Sequence, residues 1–275
     1  MTPIAATPET VLCISLAGRP GTFGVRFHNH LYRQLGLNYY YKAMTTQDLP
    51  AAVAGIRALG IRGCGVSMPF KEACMALVDT IDPSAAAINS INTVVNDAGR
   101  LTAYNTDYLA VRQLLQQRQV DPATAFALRG SGGMAKAVAC ALRDSGFANG
   151  TIVARNEAAG RKLADACDYR WVPDVEGLGP LPMLVNVTPL GMLGGAEADQ
   201  LAFGEAAIAE AQWVFDVVAR PERTPLVARA LAQGKAVITG VDVIALQALE
   251  QFVLYTGIRP TPAQVDEAVA FAREG

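Results

Sequence analysis

No run of apolar residues in this chain approaches the roughly 18 to 20 that a membrane-spanning helix needs. The opening stretch, Met1 to Thr10, lacks the basic segment that begins a signal peptide. Neither a membrane protein nor a secreted one is expected, and the cytoplasm is the default compartment. An excess of one charge sign is missing as well. A net charge of −2 makes no electrostatic case for nucleic acid or an anionic membrane as partner. There is no C-x-x-C pair, and Cys13, Cys64, Cys74, Cys140 and Cys167 are scattered through apolar segments. Buried, reduced thiols are expected, not a disulfide or metal framework. The only histidines, His28 and His30, have no acidic or thiol partner at ligand spacing, so no metal site is expected.

What remains is a chain of 275 residues, half of them hydrophobic, which is long for one domain and comfortable for two. Strands are predicted from apolar runs at Val11–Ala17, Tyr39–Met44, Cys64–Met68, Ile91–Val95 and Leu101–Tyr104. Between them, Gly18–Gly24 reads as a loop. Helical spacing follows over Val25–Leu35, from an Asp48 cap to Leu59, over Glu72–Val78, near Ser84–Asn89, and from Asn105-Thr-Asp107 to Gln119. Asn96-Asp-Ala-Gly99 has hairpin-turn chemistry. The second half alternates more regularly. Strands at Ala125–Leu128, Thr151–Ala154, Met183–Val187, Trp213–Val217 and Ala236–Ile238 are mostly separated by helices near 134–145, 158–166 and 224–232. That alternation argues for a parallel sheet covered on both faces. Two α/β domains are expected, and the last helices, Val243–Tyr255 and Pro262–Arg273, fit either one.

The second half is organised around Gly130-Ser131-Gly132-Gly133-Met134-Ala135, a G-x-G-x-x-[GA] pattern between a strand and a helix. In that context Gly130 permits a tight turn and Gly132 lets the backbone approach a pyrophosphate. Ala135 keeps helix and strand close, and free N–H groups at the helix start face the anion. The pattern alone is also compatible with a glycine-rich turn that binds nothing. Lys71 follows a strand-ending Ser-Met-Pro-Phe, where partial desolvation suits a lysine to proton transfer; a solvated loop lysine is the plainer reading. Asp107 serves either chemistry or the helix dipole. Asn92 and Asn105 stand in apolar strand contexts, which points to buried hydrogen bonds or ligand contacts.

Taken together, Val66-Ser67-Met-Pro-Phe-Lys71, Ile91-Asn92-Thr93-Val and Tyr104-Asn105-Thr106-Asp107 resemble the ordered motifs of shikimate dehydrogenases. The glycine loop, Asn186-Val-Thr188-Pro-Leu-Gly-Met192, Phe215-Asp216 with Pro221 and Thr224-Pro225, and the run from Gln247 through Phe252 to Gly257 continue the match along nearly the whole chain. The resemblance implies an α/β fold of two domains. Residues 1–106, with 243–275 returning to them, would bind substrate; residues 107–242 would form a Rossmann-like, doubly wound parallel-sheet domain for the dinucleotide. It further implies Lys71 and Asp107 as a catalytic proton-transfer pair, and Thr22, Ser67, Asn92 and Gln247 as substrate-binding. Gly130, Ser131, Gly132, Gly133, Met134, Ala135, Arg155, Asn156, Glu157, Thr188 and Gly240 would be cofactor-binding, with no metal. The activity implied is NAD(P)-dependent interconversion of shikimate, or a related cyclic hydroxy acid such as quinate, with its 3-dehydro ketone. Partners are then a small hydroxy acid and at most a second copy of the chain in a homodimer.

Two departures qualify the match. The Ser-x-Ser that holds the substrate carboxylate in such enzymes falls on Thr22 and Gly24, and a tyrosine common in the later segment is Ala219. Both changes strike the carboxylate end of the substrate, where lost donors cost several kcal/mol, so shikimate is expected to be a poor substrate. Arg26 and Arg220 are the candidate replacement cations, though each also reads as a solvated surface arginine. At the cofactor, Arg155 fits adenine or a 2′-phosphate and Ala159 replaces a second basic residue, with Arg161 close by. Glu157 suits a ribose 2′-hydroxyl, so NAD is slightly favoured over NADP. The rival readings are a nucleotide-binding regulator on the same fold with little turnover, and a Rossmann-like methyltransferase, which the Lys71 and Asn92–Asp107 constellation disfavours.

Overall fold

A computed structural model describes residues 6–274; residues 1–5 of the stretch read for a signal peptide lie outside the described residues. Among the described residues, no helix is long and apolar enough to cross a membrane. The chain divides into two compact units, one of Met1–Thr106 with Ala245–Gly275 and the other of Asp107–Ile244.

The first unit contains β1 (Val11–Leu16), α1 (Phe23–Gln34), β2 (Tyr39–Met44), α2 (Leu49–Ala58), β3 (Gly63–Val66), β4 (Thr80–Ile81), α3 (Pro83–Ala86), β5 (Thr93–Asp97) and β6 (Arg100–Tyr104). Its sheet runs β2-β1-β3-β5-β6-β4, with β1 parallel to β2 and β3 and the β5–β6 hairpin antiparallel. That hairpin closes through Ala98 and Gly99, both at positive φ, as a two-residue turn requires. Asp48 caps α2 by accepting from the Ala51 N–H. Alternate residues of β1 enter two cores: Cys13 packs with Phe27, Leu31 and, further on, Phe252 and Ala268, whereas Ile14 packs with Val53, Ile56 and Leu101.

The second unit contains α4 (Thr106–Gln117), which begins at the last residue of the first, then β7 (Phe126–Arg129), α5 (Gly133–Asp144), β8 (Gly150–Val153), α6 (Glu157–Cys167), β9 (Arg170–Val172), β10 (Met183–Asn186), α7 (Glu205–Glu210), β11 (Trp213–Asp216), α8 (Pro225–Ala232) and β12 (Ala236–Thr239). Its sheet is wholly parallel, ordered β12-β11-β10-β7-β8-β9. This is the doubly wound dinucleotide-binding order, with the reversal between β7 and β10. From Ala245 onward α9 (Gly240–Thr256) belongs to the first unit, as does α10 (Pro262–Arg273).

Several sequence expectations are corrected. Glu72–Val78 is no α-helix but a short 3-10 turn, Ala73–Leu77, and the helix near Ser84–Asn89 is only Pro83–Ala86. The loop read over Gly18–Gly24 ends sooner, because α1 begins at Phe23 and holds Gly24 in its first turn. The strands β4 and β9, of two and three residues, and the six-residue helix α7 were not anticipated: segments that short do not establish a period. Arg26 is not a solvated cation, since its guanidinium donates to the Phe271 carbonyl and lies over that ring.

His28 shows how much aromatic packing the first unit demands. Its ring stacks on Tyr41 with centroids 4.4 Å apart, and the Gln251 side chain lies near it, though neither ring nitrogen makes a well-formed hydrogen bond among the described residues. Burial pushes its pKa down to about 3. His30, by contrast, meets Glu267 at 3.2 Å. All five cysteines are buried thiols.

Candidate functional site

In the first unit the site is assembled around one buried side chain, Asn92. Its Oδ1 accepts from the Thr93 hydroxyl (2.8 Å), the Thr106 N–H (2.7 Å) and the Thr106 hydroxyl (3.1 Å). Its amide nitrogen donates to Gln247 Oε1 at 3.4 Å. Its backbone carbonyl accepts from Val66 N–H at 2.7 Å and from Gln251 Nε2 at 3.2 Å. One residue therefore ties together the end of β3, the start of α4 and the middle of α9. Each tie lies beside a residue singled out from the sequence: Val66 precedes Ser67, Thr106 precedes Asp107, and Gln247 bonds Asn92 itself. The carbonyl of Lys71 accepts from Ile91 N–H at 3.3 Å, which pins the lysine's backbone next to the same asparagine.

Ser67 is exposed and Lys71 and Gln247 are half-buried, so all three side chains reach beyond the packed interior. Asn105 is buried, with its amide donating to the Ser90 carbonyl; a structural bond accounts for it. Asp107 opens α4 as its first-turn acid. Thr22 is exposed at the start of α1 and makes no side-chain cap bond. Gly24 has ordinary room beside it, because an added Cβ would stand 3.6 Å from the Tyr41 ring.

Gln251, Thr93 and Thr106 were missed by sequence reasoning. A signal existed for the glutamine: Gln247 and Gln251 are four apart on one helix and so share a face. Gln251 is buried and donates to both the Asn92 carbonyl and the Thr93 hydroxyl.

In the second unit the candidate site gathers at the carboxyl ends of β7, β8 and β10. Gly130 leaves β7 at φ +128, and a Cβ there would lie 2.8 Å from Val187 Cγ2 and 3.1 Å from the Val187 carbonyl oxygen. Only glycine fits. Gly132 is different: its φ is −79, it is the N-cap of α5 with no side-chain cap bond, and an added Cβ would meet nothing within 4 Å. The uncapped first N–H groups of α5 thus open onto free space, the arrangement that binds an anion. Gly133 is exposed, Ser131 and Met134 are half-buried, and Ala135 is fully buried against the sheet.

Beyond β8, Arg155 is exposed, and the Asn156 side chain caps α6 by accepting from Ala159 N–H at 3.0 Å. Glu157 accepts from Arg161 Nε at 2.8 Å, and the Arg161 guanidinium lies 4.2 Å from the Trp171 ring centre. Arg129, at the end of β7, donates to the Ala202 carbonyl. Burial, and next the neighbouring Arg155 guanidinium, pull Arg129 below the usual arginine range, with Glu197 and Asp174 acting the other way.

Thr188 follows β10 and belongs to a second buried network. Its hydroxyl donates to Asn186 Oδ1 (2.6 Å), and Asn186 Nδ2 donates to Asp216 Oδ1 (3.0 Å). Asp216 Oδ2 accepts from the Thr224 hydroxyl (2.6 Å). Burial raises the Asp216 pKa, and the bonds from Thr224, Val218 N–H and Asn186 oppose it. Gly240 is jammed against β11's exit, where a Cβ would come within 2.4 Å of the Val217 carbonyl oxygen. That close approach requires a glycine there.

The first unit thus presents hydroxyl, amide and ammonium groups suited to a polyol, and the second an open helix terminus suited to a phosphate. Comparison with known proteins bears on both. A family model described as the shikimate dehydrogenase substrate binding domain matches residues 23–94. A shikimate dehydrogenase-like protein of Haemophilus influenzae is 52% identical over 265 residues, covering 96% of this chain and 97% of that one. Among solved structures, a Thermus thermophilus shikimate 5-dehydrogenase in complex with NADP(H) and shikimate is 29% identical with a TM-score of 0.85, covering 95% of this chain and 99% of that one. A Corynebacterium glutamicum quinate dehydrogenase in complex with NAD is 25% identical with a TM-score of 0.88, at the same coverage of both chains.

Proposed function

The chain belongs to the shikimate dehydrogenase family, and from that membership we propose an NAD(P)-dependent oxidoreductase that interconverts shikimate, or a related cyclic hydroxy acid such as quinate, with its 3-dehydro ketone. The observation that supports this reading is the Asn92 network, which ties the Gln247 side chain and the backbone beside Ser67, Lys71 and Asp107 to one buried residue or its neighbour.

The fit to a dinucleotide rests on the open N-terminus of α5 at Gly132 and the forced glycine at Gly130. Gly130 to Ala135 would hold the pyrophosphate through backbone N–H groups, with Arg155, Thr188 and Gly240 around the rest. A dinucleotide held there would supply the hydride acceptor in one direction and the donor in the other. Lys71 Nζ takes the proton that the ring hydroxyl releases, and its ammonium form returns it to the carbonyl in the reverse direction. Asp107 accepts from the adjacent hydroxyl and so selects which hydroxyl faces Lys71. Ser67, Asn92 and Gln247 hold the remaining hydroxyls, and Thr22 is left as a lone donor for the carboxylate.

The choice between NAD and NADP turns on two features. Glu157, paired at the surface with Arg161, suits a ribose hydroxyl, whereas two neighbouring guanidiniums, Arg129 and Arg155, favour a further phosphate. The test is absorbance at 340 nm with shikimate and quinate, each against NAD and NADP. Turnover of either acid supports the reading. A protein that binds dinucleotide yet reduces none with either acid is the regulator instead.

A further inference from the structure

Two buried thiols in the second unit are not used by the proposed chemistry. Cys140 lies near the end of α5 and Cys167 is the last residue of α6, and their sulfurs are 3.7 Å apart. Arg143 braces the same place, with Nη1 donating to the Ala166 carbonyl at 2.7 Å and Nε to Asp144 at 2.8 Å. The contact with Cys167 lowers the Cys140 pKa and Arg143 lowers it further, while burial opposes both. The same contact raises Cys167. The 3.7 Å approach sets each thiol beside a second able to resolve its oxidised form. Cys13, Cys64 and Cys74, all in the first unit, are pushed up by burial, and so serve as internal controls.

The geometry points to Cys140 and Cys167 as an oxidative modification site, a dithiol that a small hydroperoxide converts to an intramolecular disulfide joining α5 to α6. The Cys140 thiolate attacks one peroxide oxygen. The O–O bond breaks and the leaving oxygen takes up the thiol's proton, which gives a sulfenic acid. The Cys167 sulfur then displaces that hydroxyl: the S–S bond forms, the S–O bond breaks, and the departing oxygen leaves as water with the Cys167 proton. Two thiols lose two electrons and the hydroperoxide gains them. The sulfurs must close from 3.7 Å to about 2.05 Å. The movement falls on the last turn of α6, which ends at Asp168 in the left-handed conformation, and it must loosen the Arg143 bond to the Ala166 carbonyl. Helix ends open locally at low cost, and the same opening admits the peroxide.

The experiment uses the full chain, reduced and folded, exposed to hydrogen peroxide, then alkylated in denaturant and mapped by mass spectrometry. The expected result is a Cys140–Cys167 disulfide, reversed by dithiothreitol, forming on the order of tenfold faster than any oxidation of Cys13, Cys64 or Cys74. In Cys167→Ser the product becomes a Cys140 sulfenic acid that dimedone captures. The wild-type map decides the matter even if that variant fails to fold. Oxidation of all five cysteines at similar rates, or a disulfide formed only in denaturant, would overturn the assignment.

Discussion

The two units prepare their sites by opposite means. In the first, a single buried amide, Asn92, has its oxygen occupied by three donors and its nitrogen by Gln247, so the site is held by side chains that also hold the fold. In the second, the decisive feature is the lack of side chains. Gly132 leaves open space before α5, and Gly130 exists because nothing else fits beneath Val187. A site built from a satisfied buried network resists change, because each broken bond strands a buried polar group at about 1–3 kcal/mol. A site built from bare backbone can lose its ligand while the fold stays intact. Binding and stability are coupled in one unit and separable in the other.

Acid should break the symmetry most strongly. The folded state holds His28 neutral down to about pH 3, against 6.5 for an ordinary histidine. Between those values the unfolded chain binds a proton that the folded one refuses. The neutral histidine's contribution is complete above pH 6.5 and falls by about 1.4 kcal/mol per unit as pH drops towards 3. Asp216, whose pKa is raised by burial, acts in the reverse sense: its contribution is complete at low pH and is lost as pH rises through its folded value. Hydrogen exchange followed from pH 7 to 4 should show α1, β2 and α9 losing protection before β7, β10 and β11. His28→Phe should flatten that dependence, and an unchanged slope would remove His28 from the account.

Next in size is Lys71→Ala, expected to lower kcat by on the order of a hundredfold or more, the scale of a lost general acid–base. Dinucleotide affinity should not move with it. Turnover at the wild-type rate would mean another group carries the proton.

The glycine loop gives a sharper contrast. Gly132→Ala places its methyl in open space at an ordinary φ, so thermal stability should stay within about 0.5 kcal/mol while dinucleotide affinity falls. Gly130→Ala forces a side chain onto Val187 at φ +128 and should cost roughly 1–3 kcal/mol of stability. Calorimetry with a dinucleotide titration separates the two. Equal stability losses would show that both glycines serve the chain alone. Arg155→Ala should move the kcat/KM ratio from NADP towards NAD by about ten- to hundredfold, the range of one charged contact; no shift would return the 2′ position to Glu157.

Long strands with continuous apolarity, the Asp48 cap and the Asn96–Gly99 hairpin were legible because each rests on local chemistry. The parallel order of the second sheet was also foreshadowed, through its strand–helix alternation. Partners distant in sequence were not. Asn92 stood out as polar in an apolar strand, but nothing local tells that its oxygen meets Thr106, or that Gln251 arrives from α9. Arg26 misled for the same reason: its partner, Phe271, comes from the far end of the chain. The Glu157–Arg161 pair was legible too, because the two lie four residues apart on one helix face.

The central claim is that the proton-transfer end of the substrate site is kept while the carboxylate end has changed. Steady-state kinetics with shikimate at saturating dinucleotide, on the wild type and on Gly24→Ser combined with Ala219→Tyr, test it most directly. An added Cβ at residue 24 meets only ordinary contact, so the first change tests a donor without distorting the helix. The wild type should turn over with a high KM. The double variant should lower KM by about tenfold, the lower end of what hydrogen bonds to a charged group contribute, with less change in kcat, as befits binding remote from the reacting bond. Fast turnover at low KM by the wild type would contradict the claim, because some other group would already be holding the carboxylate.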